Sequence, residues 1–211
     1  MKKLFIALML FFSLVSTAYA DLIPARVNDV PLGSLGVYQP ATSLKLYSKP
    51  DIKSNTLFNK TWNYMSVEAS DYADTLFAIL IPKKELSFIY ATDIDEDFVQ
   101  VMFNKQKKLT GWAYKEDNFQ FMPWITFYNM YGRKYGLKLL KGTPDSVLEL
   151  HSNSSKESQA IAKLNRPKEI RFTAIQGNWA LVTVLDIETA KTGYIQWRGE
   201  NGELYLFPNI K

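Results

Sequence analysis

No cysteine occurs anywhere in the chain, and His151 is its only histidine. The first absence removes disulfide staples, lipid attachment through an N-terminal cysteine and thiolate nucleophiles. Together the two absences leave no His/Cys metal spacing and little room for a serine–histidine triad. There is no glycine-rich phosphate loop either, so no cofactor and no metal is implied. Charge of one sign is also scarce. Basic side chains number 25 against 21 acidic ones, which is not the footprint of a nucleic-acid binder. A cysteine-free chain of this length must be held by an ordinary apolar core.

The one long apolar run lies at the start. In "MKKLFIALMLFFSLVSTAYA", Lys2 and Lys3 precede an apolar stretch from Leu4 to Val15, and Ala-Tyr-Ala stands before Asp21. That is the pattern of a secretory signal peptide over residues 1–20, cut after Ala20. The run is shorter than the roughly 20 residues a spanning helix needs. The expectation is a periplasmic or secreted protein with no stable membrane insertion after cleavage.

Compared with itself, the chain shows an internal repeat. "LKLYSKPDIKSNTL" at 44–57 lies without a gap over "LELHSNSSKESQAI" at 148–161, with Leu44 on Leu148, Leu46 on Leu150 and Leu57 on Ile161. Downstream, "ELSFIYA" at 85–91 lies over "EIRFTAI" at 169–175, "FVQVMF" at 98–103 over "WALVTV" at 179–184, and "GWAY" at 111–114 over "GYIQ" at 193–196. The first copy carries an insertion of about 20 residues containing "KTWNYMSVEASDYADTLFA", as a surface loop can.

Within each copy, apolar residues alternate at Val99, Val101 and Phe103, and again at Ala180, Val182 and Val184, predicting strands with one face on a core. A second strand opens at Gly111-Trp112 and at Gly193-Tyr194, making a hairpin with the first. About five short strands per copy predict a small β-barrel. Between the copies, Pro123 is placed to start a helix. Trp124, Phe127, Tyr128 and Tyr131 recur along one helical face before Gly132 and Gly136. That face wants a neighbour, either both barrels or a ligand groove.

The motif "GNW" at 177–179, the alternating strand after it and "GYI" at 193–195 resemble the bacterial Src-homology-3 domain. The chain departs from that pattern in lacking Arg-x-Gly-Pro-Ser in both copies and in reading "EDF" where the first copy should read "GNW". The resemblance implies a mainly β protein of two small SH3-like β-barrels joined by a short amphipathic helix. Residues 36–122 would form the first domain, 123–137 the connecting helix and 138–211 the second domain. Wall peptidases that carry such modules use a cysteine–histidine pair, which is missing here. The implied function is a non-catalytic binding protein whose tandem modules recognise cell-wall peptide or glycan, or a protein partner. The alternatives are a scaffold of an exported complex or a carboxylate-dependent cell-wall hydrolase.

SH3-like barrels take extended ligands in aromatic-lined grooves. The aromatics not needed by the shared core are Trp62 and Tyr64, in the insertion, and Trp112, opening the closing strand of the first copy. These are the candidate ligand-binding residues. The insertion carrying Trp62 and Tyr64 is either a binding loop or cover for an exposed barrel edge. Trp179 is expected to lie buried against the barrel wall, and His151 to be structural or on the surface. The acidic run Asp93, Asp95, Glu96 and Asp97 has the spacing of half a calcium loop, but Phe98 and Asn104 occupy the glycine and bidentate-glutamate positions. It reads as a solvated connection between strands.

Overall fold

A computed structural model describes residues 21–67, 70–115, 120–164, 167, 169–185 and 190–210. Residues 1–20, where a signal peptide is expected, lie outside the described residues. The fold is mainly β, and its strands fall into two antiparallel sheets that match the two sequence copies.

The first unit contains β1 (Gly36–Gln39), β2 (Ser43–Tyr47), β3 (Thr56–Thr61), helix α1 (Ala73–Leu76), β4 (Ile79–Ile81), β5 (Leu86–Ile94), β6 (Phe98–Asn104), β7 (Leu109–Tyr114) and β8 (Gln120–Pro123). The second contains β9 (Leu137–Leu139), β10 (Glu149–His151), β11 (Ala160–Lys163), β12 (Glu169–Gln176), β13 (Trp179–Leu185), β14 (Ala190–Gln196) and β15 (Leu206–Pro208). Their orders are β3-β2-β7-β6-β5-β1-β8 and β11-β10-β14-β13-β12-β9-β15. The two are identical once β4, which belongs to the insertion and pairs with β5, is set aside.

Register repeats with the order. Tyr47 pairs with Trp112 as His151 pairs with Tyr194, and each of β2 and β10 carries an irregularity at that residue. Glycine explains the spacing of the repeat. A Cβ on Gly193 would stand 2.8 Å from the His151 carbonyl oxygen, 2.8 Å from Ile161 Cδ1 and 3.4 Å from Leu150 Cβ. A Cβ on Gly111 would meet the equivalent Leu46 Cβ at 3.0 Å and Leu57 Cδ1 at 3.5 Å. Two strands cross closely at the same point in both units, and only a residue without a side chain fits there.

Three expectations are corrected. The sheets do not close into barrels. In the first, β3 keeps an open, solvent-exposed outer edge while β1 and β8 extend the other end, β8 running straight into the helix, so the end strands never meet. The downstream alignment is shifted by three residues. Val101 pairs with Ala91 where the equivalent Val182 pairs with Phe172, so Ala91, not Phe88, corresponds to Phe172. A bulge at Thr92 and another at Thr173 confirm that match, because each sits one residue further along. Finally, β13 buries Ala180, Val182 and Val184 as expected, but β6 buries Met102 and leaves Phe103 half-buried. The bulge between Met102 and Asn104 reverses the alternation there.

Between the sheets, α2 (Trp124–Phe127), a π-helical turn (Tyr128–Gly132) and α3 (Arg133–Tyr135) run on without a break. Gly132 lies inside this helix; Gly136, at φ +73°, ends it, its N–H donating to the Gly132 carbonyl at 2.8 Å. Trp124, Phe127 and Tyr128 are all buried. Phe127 packs edge-on to Phe88 of the first unit at 5.4 Å and against Phe207 of the second at 5.8 Å. Tyr128 meets Trp197 at 4.6 Å and donates its hydroxyl proton to the Leu206 carbonyl. One apolar core therefore runs from the first sheet through the helix into the second. A separate core fills the space between the first sheet and the insertion.

Gly193→Ala should lower stability by about 1–3 kcal/mol in urea unfolding, because the backbone carbonyl of His151 cannot yield easily. Gly111→Ala, facing a leucine side chain, should cost less. An unchanged midpoint in Gly193→Ala would contradict the close crossing.

Candidate functional site

Residues 22–35 form a strap across both units. Leu22 and Leu80 exchange backbone hydrogen bonds of 2.9 and 2.9 Å on the first unit, while Val27 donates to Lys141 at 3.0 Å and Lys141 to Ala25 at 2.8 Å beside the second. One carboxylate oxygen of Asp29 accepts from the Ala25 and Arg26 N–H groups, each at 2.8 Å, and so fixes the single 3₁₀ turn at Val27–Asp29. Pro31 and Gly33, the latter at φ +78°, then turn the chain into β1.

Under the strap lies an open cleft of about 680 Å³, within the ordinary size range of small-ligand sites. Its strap wall is mostly apolar. Its other walls bring Asp74 and Ala78 from the insertion, Tyr90 from β5, Met102 from β6, Lys105 and Lys108 from the turn into β7, and Glu203 from the second unit. The second unit has no insertion, so it has no counterpart of Asp74.

The polar groups are held by local chemistry. Lys105 is half-buried at the end of β6; its N–H donates to the Thr75 carbonyl at 2.9 Å and its ammonium to the Phe77 carbonyl. Burial holds its pKa below the usual lysine value, and the fields of Asp74 and Asp29 work against that shift. Tyr90 is 1% exposed, with its ring against Trp124 at 6.3 Å. Burial first, and Asp29 second, push its hydroxyl far above the usual tyrosine range. That hydroxyl makes no hydrogen bond among the described residues. The ion pairs within 4 Å that the described residues do form, Lys156–Glu200 and Arg171–Glu169, are both outside the cleft.

None of the sequence-predicted ligand residues lines this cleft. Trp62 is 8% exposed, a core side chain packed edge-on to Phe77 at 5.2 Å, with its indole N–H unpartnered among the described residues. Tyr64 is half-buried and its hydroxyl bonds the buried Ser87 hydroxyl at 2.9 Å. The insertion therefore covers the first sheet rather than displaying these two rings, and what it gives the cleft is Asp74. Trp112 is half-buried in β7. Ser43 pairs with Thr61, next to Trp62, and Tyr47 with Trp112, so the two tryptophans stand at opposite ends of β2. They share no groove.

In the second unit, Trp179 is half-buried rather than buried. It stands edge-on to His151 at 5.2 Å, as Phe98 stands edge-on to Tyr47 at 6.4 Å in the first. The fully buried tryptophan is Trp197, whose indole donates to the Gly177 carbonyl at 3.0 Å. Gly177 has φ +58° and opens a two-residue hairpin loop, a position that glycine occupies at no steric cost. Only Gly177 of the Gly-Asn pair uses positive φ. The His151 ring is 7% exposed and its Nδ1–H donates to the Ser158 carbonyl at 3.1 Å. The acidic run sits in the β5–β6 hairpin, where Lys115 donates to the Asp95 and Glu96 carbonyls at 2.6 and 3.0 Å. Among the described residues no group of three or more metal-binding side chains converges.

No family model matches the chain, and no curated protein matches it.

The burial pattern makes two stability predictions. Trp62→Ala and Trp197→Ala should each cost about 3–5 kcal/mol as large-to-small core changes. Trp179→Ala should cost less, since part of its side chain is already in water. Thermal or urea unfolding of the three variants ranks them, and an unaffected Trp62→Ala would return the insertion to the role of a displayed loop.

Proposed function

We propose that this is a non-catalytic exported binding protein, in which two SH3-like units recognise cell-wall peptide or glycan. The observation that carries the reading is the strap cleft, a ligand-sized concavity lined by separated charges and apolar side chains. Three further features support it. Seven strands recur in one order in both units, and the Gly177 turn with the Gly-Tyr closing strand carries the resemblance in sequence to the bacterial Src-homology-3 domain. The basic-then-apolar start of the chain supports export.

A binding role also suits the chemistry of the side chains. His151 is engaged with a backbone carbonyl and a tryptophan edge, so it is not poised beside a nucleophile. The acidic side chains of the cleft are accompanied by lysines, as recognition of a substituted peptide would require.

Incubating the purified protein, from Asp21 onward, with isolated peptidoglycan tests the proposal. Co-sedimentation without release of soluble fragments is the expected result. Released fragments would make the protein a hydrolase, and a protein left wholly in the supernatant would make it a scaffold of an exported complex.

A further inference from the structure

The strap cleft holds opposite charges that are not paired with one another. Asp29 and Asp74 both act on Lys105 through space, yet neither lies within 4 Å of its ammonium, since neither ion pair found among the described residues involves them. Lys105 spends one of its three donors on the Phe77 carbonyl and keeps two for a ligand. Asp29 uses one carboxylate oxygen on the backbone of its own turn, and no hydrogen bond to its second oxygen is formed among the described residues. Asp74 is exposed on α1. Beside them, Tyr90 offers a hydroxyl with no partner from a side chain that is otherwise enclosed.

Lys105 and Tyr90 are the more enclosed of these groups and Asp29 and Asp74 the exposed ones, and a ligand that meets all four carries both signs. A simple anion would meet Asp29, Asp74 and Glu203; a simple cation would meet Lys105 and Lys108. The apolar wall of Leu22, Ile23, Pro24 and Val27 adds a surface for short aliphatic groups.

We infer that the cleft binds a small zwitterion, a short peptide or amino acid presenting a free carboxylate to Lys105 and a free ammonium to Asp29 and Asp74, with the Tyr90 hydroxyl bridging between them. The inference rests on the reading of the protein as a binder of wall peptide, and it places that recognition at the strap and the first unit, with Glu203 contributed by the second. The insertion then has a binding role through Asp74 while Trp62 and Tyr64 hold it in place.

Calorimetric titration of the full chain from Asp21 with alanyl-alanine, its N-acetyl derivative and its C-terminal amide tests this. The dipeptide should bind, and blocking either end should weaken binding by about tenfold or more, the value of one charge-assisted hydrogen bond. Lys105→Met should erase the difference between the dipeptide and its amide. Asp74→Asn, a change at an exposed side chain that leaves folding intact, should shrink the difference between the dipeptide and its N-acetyl form. Tyr90→Phe should weaken all three probes by a similar few-fold and so leave both preferences unaltered. Equal binding of all three probes, or no binding of any at millimolar concentration, overturns the inference. If peptidoglycan is still captured in that case, the binding function stands and its site lies elsewhere. Dipeptide bound with peptidoglycan ignored keeps the cleft and removes the wall as its source.

Discussion

The structure depends on one row of aromatic rings along one helix. Trp124, Phe127 and Tyr128 are spaced so that one face touches both sheets at once, with Phe88 and Tyr90 on one side and Phe207 and Trp197 on the other. Two hydrogen bonds fix their angles, from the Trp124 indole to the Ser34 carbonyl at 2.8 Å and from the Tyr128 hydroxyl to the Leu206 carbonyl. A buried indole or phenol without such a partner would be a liability. With partners, the same polar atoms set the orientation that apolar contact alone leaves loose. Because no disulfide ties the halves together, this continuous core does that work.

Everything at the strap follows from that arrangement. The strap can reach from Leu80 to Lys141 only because the helix holds the two units at a fixed separation. Ser34, which accepts from Trp124, also receives its place from the Pro31 turn, donating its N–H and its hydroxyl to the Pro31 carbonyl at 3.1 and 2.8 Å. The cleft is thus bounded by a segment anchored at three points, each on a different part of the core.

Much of the fold is legible in the sequence, and the reason is geometric. Leu46, Leu57 and Gly111 meet at one crossing, and Leu150, Ile161 and Gly193 at its copy, so the gapless match of these positions reflects a contact that tolerates few changes. The β5–β12 alignment goes astray because Phe88 and Phe172 look alike in letters, while the true register is set by bulges that no single residue type marks. That the sheets stay open is likewise invisible, since β1 and β9 lie outside the segments where the repeat is readable. The aromatic helix declares itself through its period. The cleft does not, because Asp29, Asp74, Tyr90 and Lys105 come from four separate stretches that only the folded strap and insertion bring together. Trp62 misleads for the opposite reason: a tryptophan in an insertion suggests display, yet this insertion has a core of its own and needs the ring to fill it.

The strap also gives the molecule a preferred place to yield under force. Tension applied upstream of Leu22 falls first on the two bonds to Leu80, an isolated bridge with no neighbouring pair to share the load. The next attachment, at Ala25 and Val27 on Lys141, holds the rest of the strap in place. A modest pull therefore lifts Leu22, Ile23 and Pro24 from the cleft wall while every ladder in the two sheets stays intact, so occupancy of the cleft and mechanical load on this end of the chain oppose one another.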